Sequence, residues 1–236
     1  MRNIGSPLLL LAGAGSGKTR VLTHRVAYFI QKKIAKPSEI LLLTFTNKAA
    51  EEMKQRTGKL LSSINTKSEG NIFAGTFHSF CCRVLRADGS NIGIPPKFVI
   101  YDSNDQENLI KNILHEMGLT AKEFKPSSVL YYIEAAKNSF QTPKDMIAQS
   151  HGFWQEYASK IYASYQKKLF EFHALDFNDL LFKTTELLMQ YPDVLAKYQD
   201  IYKFIMIDEY QDTNQIQYLL TKLLATKYKK ITVVGD

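Results

Sequence analysis

Leu8-Leu9-Leu10-Leu11 leads directly into Ala12-Gly13-Ala14-Gly15-Ser16-Gly17-Lys18-Thr19, and this stretch decides the fold. A short, continuous apolar run is typical of a strand covered on both faces. The glycines that follow let backbone N–H groups turn toward phosphate oxygens, and the next helix would point its positive dipole end at them. Ala12 departs from the general pattern, which has glycine there. The stretch still predicts a strand, a phosphate-binding loop and a helix, with Lys18 on the β- and γ-phosphates and Thr19 on Mg²⁺.

Four more apolar runs predict buried parallel strands, at Ile40–Phe45, Ile72–Thr76, Phe204–Asp208 and Ile231–Val234. Helical patterns follow the strands at Lys18–Lys32, Lys48–Leu61, Phe77–Ala87 and Thr213–Ala225. Strands that alternate with helices indicate an α/β fold with a doubly wound parallel sheet.

The middle of the chain differs, because no convincing buried strand occurs between Ser103 and Ala174. Ser103 and Gln106 have the spacing of a capping box, which predicts a helix that runs to Met117. The segment from Phe153 to His173 predicts one long helix. An all-helical insertion therefore interrupts the α/β domain. Trp154 and the tyrosines of the long helix lie at helical spacing, which favours a place in its core over a base-stacking platform.

Carboxylates end the strand at Ile205-Met206-Ile207-Asp208-Glu209. A carboxylate in this place lies beside the metal ion of a phosphate loop, so Asp208 is predicted to hold Mg²⁺, partly through water. Glu209, one residue further out, is predicted to orient and deprotonate an attacking water. The alternative is a solvated acidic strand end, which the phosphate loop makes the weaker interpretation.

Two other strand ends carry aromatic and polar residues: Phe45, Thr46 and Asn47 in one, and Thr76, Phe77 and His78 in the other. Phe45 could stack on a base. Taken singly, each segment fits a capped helix, a core phenylalanine or an ordinary hydrogen-bonded histidine better. Because the carboxyl ends of parallel strands meet at one edge of a sheet, the four segments together indicate one ligand-binding edge.

Composition bounds the function without deciding it. The 236 residues carry a formal net charge of +7, which is compatible with a polyanionic partner such as nucleic acid. The two cysteines, Cys81 and Cys82, are adjacent and have no metal-ligand spacing, which favours reduced thiols in a cytoplasmic protein. No apolar run is long enough to cross a membrane.

Five segments, in this order and spacing, resemble the superfamily 1 DNA helicases of the UvrD/Rep/PcrA type: AGAGSGKTR (12–20), TFTNKAAEEM (44–53), GTFHSF (75–80), LDFNDL (175–180) and IDEYQDTN (207–214). The resemblance covers essentially the whole chain. It implies a RecA-like motor domain, called 1A, at 1–102 and 175–236, interrupted by a helical domain, called 1B, at 103–174. The implied activity is ATP-dependent 3′→5′ translocation and unwinding of DNA, in repair or replication.

The resemblance also implies roles for individual residues. ATP and Mg²⁺ would be held by the loop residues Ala12, Gly13, Ala14, Gly15, Ser16, Gly17, Lys18, Thr19 and Arg20, with Arg20 packed on the base. Asp208 and Glu209 match the metal ligand and the general base, and Gln211 matches a coupling glutamine. Single-stranded DNA, or its junction with a duplex, would contact Phe45, Thr46, Asn47, Thr76, Phe77 and His78.

Two segments carry weaker expectations. Asp176 and Asp179 match a minor motif, but acidic residues that favour the dipole at a helix N-terminus are the preferred interpretation. Basic residues of the insertion could line duplex DNA or could simply be solvated: Lys122, Lys125, Lys137 and Lys144.

The resemblance further suggests that the chain is an N-terminal fragment. The family has an adenine-reading glutamine before the phosphate loop, and a coupling segment and second motor domain after the strand that ends near Asp236. That second domain supplies arginines to the γ-phosphate, and loss of such a residue can slow hydrolysis by roughly 10³-fold. We therefore expect weak nucleotide binding and little unwinding from the chain alone. Two alternatives stay open: the helicase part of a recombination helicase–nuclease, and a passive nucleotide- or DNA-binding module.

Overall fold

The computed structural model describes residues 4–13, 17–63 and 70–236. The strands are β1 (Leu8–Leu11), β2 (Ile40–Thr44), β3 (Phe73–Thr76), β4 (Val99–Tyr101), β5 (Ala174–Asp176), β6 (Phe204–Ile207) and β7 (Ile231–Gly235). The helices are α1 (Lys18–Gln31), α2 (Asn47–Ser63), α3 (Phe77–Asp88), α4 (Ser103–Glu116), α5 (Pro126–Asn138), α6 (Pro143–Ala148), α7 (Phe153–Glu171), α8 (Phe177–Gln190), α9 (Pro192–Ile201) and α10 (Gln215–Ala225).

Five strands form a parallel sheet in the order β1-β7-β6-β2-β3. Every residue of β2 and β6 is buried, as their unbroken apolar sequences predict. The register places Leu43 opposite Ile207, so these two strands end side by side. The predicted α/β fold with a parallel sheet is confirmed, and the five predicted strands agree with the observed ones to within one residue at each end.

Helix α1 shows why helices cover this sheet. Leu22, Val26, Phe29 and Ile30 recur at helical spacing and are buried in one cluster with residues of β2, β6 and β7. Burial of each such side chain stabilises the fold by about 1.5–3 kcal/mol. This packing holds α1 against the sheet.

The chain forms two compact units. The sheet unit comprises the described residues of 1–80, 188–213 and 217–236, and the helical unit comprises 81–187 and 214–216. The helical unit therefore contains most of α3 and of α8 as well as the predicted insertion. The domain limits at 102/103 and 174/175 stay a prediction.

A second, two-stranded parallel sheet pairs β4 with β5, and residues 102–173 connect them. The sequence did not predict these strands. Each has three residues, too few for a hydrophobic pattern to distinguish a strand from a loop or a helix end.

The core of the helical unit contains the predicted face of the long helix. Ile161, Tyr165 and Leu169 are buried, and Trp154 and Tyr157 pack against them. The predicted capping box is shifted by one residue. Asp102, not Ser103, accepts hydrogen bonds from the backbone of Asn104 and Asp105, at 2.8 and 2.9 Å. Asp and Ser both cap helices well, so composition alone could not choose between the neighbours.

Lys137 contradicts both expectations for the basic residues of the insertion, which were contact with duplex DNA and exposure to solvent. It neither faces solvent nor could line DNA. Its side chain is 0% exposed, and its Nζ lies 2.6 Å from Asp176 Oδ2 and 2.8 Å from Asp179 Oδ1. Tyr165 donates a 3.0 Å hydrogen bond to the same Asp176 oxygen. Lys122, Lys125 and Lys144 are exposed. The two aspartates do bond each other's backbone N–H groups as helix-cap residues, at 2.8 and 3.2 Å.

Both cysteines lie on α3 and are unpaired. Burial raises the pKa of the Cys81 thiol to about 12, so this side chain behaves as a small apolar residue. No helix in the described part of the chain is long and apolar enough to cross a membrane.

Candidate functional site

The phosphate loop leaves the sheet at the carboxyl end of β1. Ala12 donates a backbone hydrogen bond of 3.0 Å to Gly235 O, which continues the pairing of β1 with β7 for one residue. Gly13 is exposed, and the predicted loop residues Ala14, Gly15 and Ser16 lie outside the described residues. Gly17 has φ +91°, a left-handed conformation that suits glycine. No acidic residue or side-chain cap occupies the first turn of α1, so its N–H groups are available to an anion.

Thr19 and Asp208 meet at this helix end. Thr19 Oγ1 donates a 2.7 Å hydrogen bond to Asp208 Oδ2. Asp208 is 2% exposed, and its backbone N donates to Leu43 O at 3.1 Å, so the end of β6 is held by β2. Burial raises the pKa of the Asp208 carboxyl, while the hydrogen bond from Thr19 lowers it. The predicted pair of metal ligands is therefore brought together.

The oxygen atoms of this pair fit Mg²⁺, which prefers oxygen ligands and usually keeps several waters. Across the ranges that the structure describes, no group of three or more His, Cys, Asp or Glu side chains could hold a metal ion. One hydroxyl and one carboxylate fit a site in which phosphates and water complete the shell.

Lys18 bridges two carboxylates from neighbouring strand ends. Its buried Nζ lies 2.9 Å from Glu209 Oε2 and also pairs with Asp236 Oδ1. Hydrogen bonds with Asp236 and Glu209 raise the pKa of Lys18. The pKa of Glu209 is lowered by its hydrogen bond with Gln211 and then by Lys18. Glu209 is therefore ionised at neutral pH, as a general base must be.

Gln211 connects the ends of β6 and β7. Its Nε2 donates to Glu209 Oε2 at 2.7 Å, and its Oε1 accepts from the Asp236 backbone N at 3.2 Å. A Cβ added to Gly235 would lie 2.7 Å from the same Oε1, so a larger residue here would push the Gln211 side chain aside. Glu209 itself adopts a left-handed backbone with φ 51°. Such a conformation costs of order 1–3 kcal/mol and is common at functional sites.

Asp236 is the site residue that the motifs of the sequence did not reveal. The signal was present, because Asp236 directly follows an apolar strand, as Asp208 does. Arg20, predicted to pack on the base, is exposed on the first turn of α1.

The second predicted segment lies at the ends of β2 and β3, which pair with each other. Thr46 and Asn47 are exposed, and Phe45 and His78 are half-buried. Thr46 caps α2 by accepting from Ala49 N at 3.1 Å.

The remaining two residues of this segment are buried. Phe77 is 1% exposed, and its ring centroid lies 5.5 Å from that of Phe45. Thr76 is buried as well, and its Oγ1 accepts from Ser79 N at 3.1 Å. Burial lowers the pKa of His78, which keeps the ring neutral at pH 7. Phe77 therefore supports the Phe45 ring from the core, while the exposed part of the segment is open to a ligand.

The sequence is similar to those of known proteins over all or nearly all of its length. The ATP-dependent DNA helicase PcrA of Bacillus subtilis (strain 168) is 46% identical over 236 residues, which is all of this chain and 31% of that protein. PcrA of Staphylococcus aureus (strain Mu50) is 45% identical over 230 residues, 98% of this chain and 31% of that protein. The chain thus spans about a third of the length of these relatives. The family described as UvrD/REP helicase N-terminal domain matches residues 1–236, and the chain belongs to this family.

Proposed function

We propose that the chain is the ATP-binding N-terminal part of an ATP-dependent 3′→5′ DNA helicase. The observation that carries the proposal is the meeting of Lys18, Thr19, Asp208 and Glu209 at one edge of the sheet. These are the groups that nucleoside triphosphate hydrolysis needs: a phosphate-binding lysine, a hydroxyl and a carboxylate for Mg²⁺, and a carboxylate for water. The names of the PcrA relatives support the helicase activity.

The fold of the motor part is proposed to be RecA-like, with the helical segment as domain 1B. The strand order supports this proposal, because β7 lies between the strand that leads into the phosphate loop and the strand that ends in Asp208. The arrangement leaves the end of β7 beside both motifs, and Asp236 and Gln211 occupy that place.

Each side chain has a distinct proposed task. Lys18 would exchange its carboxylate partners for the β- and γ-phosphates, and Thr19 and Asp208 would hold Mg²⁺. The metal would supply charge neutralisation on the phosphate oxygens. Glu209 would orient the attacking water and accept its proton, while Gln211 holds the Glu209 carboxylate in place. Arg20 would pack on the adenine ring, where a planar guanidinium is suited to stacking.

Single-stranded DNA is the proposed ligand of the edge formed by Phe45, Thr46, Asn47 and His78. Thr76 and Phe77 would contribute through the backbone and through support of Phe45. Aromatic stacking suits a motor that must accept any base, because every base has a π-face.

Substitution of Glu209 tests the catalytic assignment in the longer protein that contains this chain. We expect Glu209→Gln to keep ATP affinity and to lower DNA-stimulated hydrolysis by about 10²–10⁴-fold, because the amide cannot accept the proton. Glu134→Gln, at an exposed position of α5 outside the five segments, is the matched control and should hydrolyse at the wild-type rate. Turnover that persists in Glu209→Gln would show that another group is the base. A wild-type ATPase that single-stranded DNA fails to stimulate would contradict the helicase proposal itself.

The DNA edge has a separate test. Phe45→Ala should weaken single-stranded DNA binding by about 1–3 kcal/mol per stacked base. Tyr131→Ala, at an exposed aromatic residue of α5, is the control. Equal affinities of the two variants for a labelled oligonucleotide would exclude Phe45 as a stacking residue.

A further inference from the structure

Lysine side chains are concentrated where three neighbouring strands of the large sheet begin. Strands β2, β6 and β7 lie side by side, and residues 32–39, 197–203 and 222–230 lead into them. These three segments, here called the lysine edge, contain nine lysines, one glutamate and one aspartate. Their net charge of +7 equals that of the whole chain, so the rest of the sequence is neutral. All three segments belong to the sheet unit.

Ion pairs and hydrogen bonds join the three segments into one surface. Lys203 Nζ lies 2.7 Å from Glu39 Oε1, which connects the segments before β6 and β2. Lys227 Nζ and Tyr228 OH both reach Asp200 Oδ1, at 2.6 and 2.7 Å, and connect the segments before β7 and β6. The two carboxylates of the lysine edge are therefore already engaged in holding it together.

Most of the positive charge is left uncompensated. Lys203, Lys227 and Lys230 surround the Tyr228 ring, with their Nζ atoms 6.0, 5.6 and 5.8 Å from its centroid. The face of an aromatic ring attracts cations, which holds these like charges close together. Four further lysines are exposed and form no ion pair with the residues that the structure describes: Lys32, Lys33, Lys222 and Lys229.

Helix dipoles account for only part of this charge. Helices α1, α9 and α10 end at Gln31, Ile201 and Ala225, beside or within the lysine edge. A helix C-terminus carries about −0.5 of an elementary charge, so three of them offset about 1.5 positive charges and leave an excess of roughly five. An excess of this size on one surface favours a polyanionic ligand.

The density of the charge matches that of a DNA duplex. Neighbouring strands are about 4.8 Å apart, so the three segments span about 10 Å. Duplex DNA carries one phosphate charge per about 1.7 Å of its axis, which is about six charges over 10 Å. An extended acidic peptide has at most one charge per residue, or about three over the same distance, because each residue spans about 3.3 Å. The duplex is therefore the better match.

The lysine edge is built for phosphates and not for bases. Single strands bind largely through bases that stack on aromatic rings. Tyr228 is half-buried, lysines surround its ring, and its hydroxyl is held by Asp200. Lysine ammonium groups act as point charges on backbone phosphates and do not read sequence through them. This composition favours double-stranded DNA, whose bases are stacked inside.

We propose that the lysine edge is a binding surface for the phosphate backbone of double-stranded DNA. It lies at the amino ends of the strands, whereas Thr19 and Asp208 meet at the carboxyl end of β6. The length of the strands, about 15 Å, separates the two surfaces. The inference thus goes beyond the nucleotide site and the single-stranded DNA edge, and it adds a contact that would hold duplex DNA whatever its sequence.

The test is the salt dependence of binding of the 236-residue chain to a labelled, blunt-ended duplex, measured by fluorescence anisotropy without nucleotide. One variant combines Lys32→Gln, Lys33→Gln and Lys229→Gln. The loss of three phosphate contacts should reduce the slope of log K against log salt concentration by about 2–3, and should weaken binding at least about 10-fold near 0.1 M salt. Two duplexes of different sequence should bind equally well.

A second variant is the matched control. It combines Lys97→Gln, Lys111→Gln and Lys160→Gln, which remove the same charge from exposed positions of the helical unit. It should keep the wild-type slope to within about one contact. Unchanged urea midpoints would show that both variants are folded. Equal slopes for the two variants would overturn the inference, because the charge would then act through the field of the whole protein.

Two competing ligands and surfaces are separated in the same assay. A polyglutamate peptide that displaces the labelled duplex as well as unlabelled duplex does, at equal total charge, would overturn the inference in favour of an acidic protein segment. Phe45→Ala should bind the duplex as the wild type does, and a loss of affinity would place the duplex on the single-stranded DNA edge instead. Failure of the ATPase tests above leaves these outcomes unaffected, because no nucleotide is present.

Discussion

Replacement of Lys137 with Met should destabilise the helical unit more than any surface substitution. The Lys137 ammonium lies 2.6 Å and 2.8 Å from two carboxylates, and all three side chains are at most 3% exposed. Loss of one partner of a buried ion pair costs about 3–5 kcal/mol, because a charge stays buried without compensation. Burial already raises the pKa of Asp179, so this carboxyl can take up a proton, which favours the lower end of that range.

Urea denaturation followed by Trp154 emission measures the effect, since Trp154 packs against the core of the same unit. With a slope of about 2 kcal/mol per M, the midpoint should fall by roughly 1.5–2.5 M. A triple variant that also carries Asp176→Asn and Asp179→Asn should recover most of the loss, because no unpaired charge remains.

Lys160→Met is the control, since the Lys160–Glu156 pair has the same 2.6 Å distance but both side chains are about half exposed. The reasoning is refuted if Lys137→Met and Lys160→Met shift the midpoint equally. A triple variant as unstable as Lys137→Met alone would also contradict it, because the loss would then come from packing and not from charge.

Three further predictions concern single residues. Gly235→Ala should slow DNA-stimulated ATP hydrolysis by the longer protein, because its Cβ would lie 2.7 Å from Gln211 Oε1 and displace the side chain that holds Glu209; an unchanged rate would show that Gln211 can move at no cost. Burial lowers the pKa of His78 below 6.5, so its contribution to stability is present above pH 6.5 and is lost as pH falls through the lowered value. His78→Gln should therefore lose less stability than wild type between about pH 7.5 and pH 5.5 in urea titrations, and parallel profiles would exclude His78 as the cause. Asp102→Ala should cost about 0.5–2 kcal/mol in the same assay, whereas Ser103→Ala should cost less because Asp102 accepts both cap hydrogen bonds; the reverse order would restore Ser103 as the cap.

The sequence predicted the sheet well because its strands are covered on both faces. A continuous apolar run such as Ile40–Thr44 strongly favours a buried strand when helices alternate with it. The same reasoning predicted that Thr19 and Asp208 lie close together, since parallel strands of one sheet end at one edge, and the two side chains are hydrogen-bonded.

The burial and the ion-pair partners of charged residues were the least predictable from the sequence. Lys137 resembles any surface lysine in sequence, and its burial depends on Asp176 and Asp179, which no local pattern connects to it. Asp236 was missed for a related reason, because its partner Lys18 lies at the opposite end of the chain. Long-range pairing of this kind is decided by tertiary structure, whereas hydrophobic periodicity is local.

The short sheet of β4 and β5 limits how the helical segment can be altered. Parallel strands cannot be joined by a tight hairpin turn and need a crossover of about a dozen residues. Residues 102–173 are this crossover. The segment can therefore be shortened or exchanged but not deleted: a single helix the length of α4, with its 14 residues, is near the minimum that returns the chain to β5 in register. Relatives with a reduced insertion should accordingly keep a helix at this point, and a chimaera that replaces the segment with a short turn should lose β5 and the helix cap at Asp176.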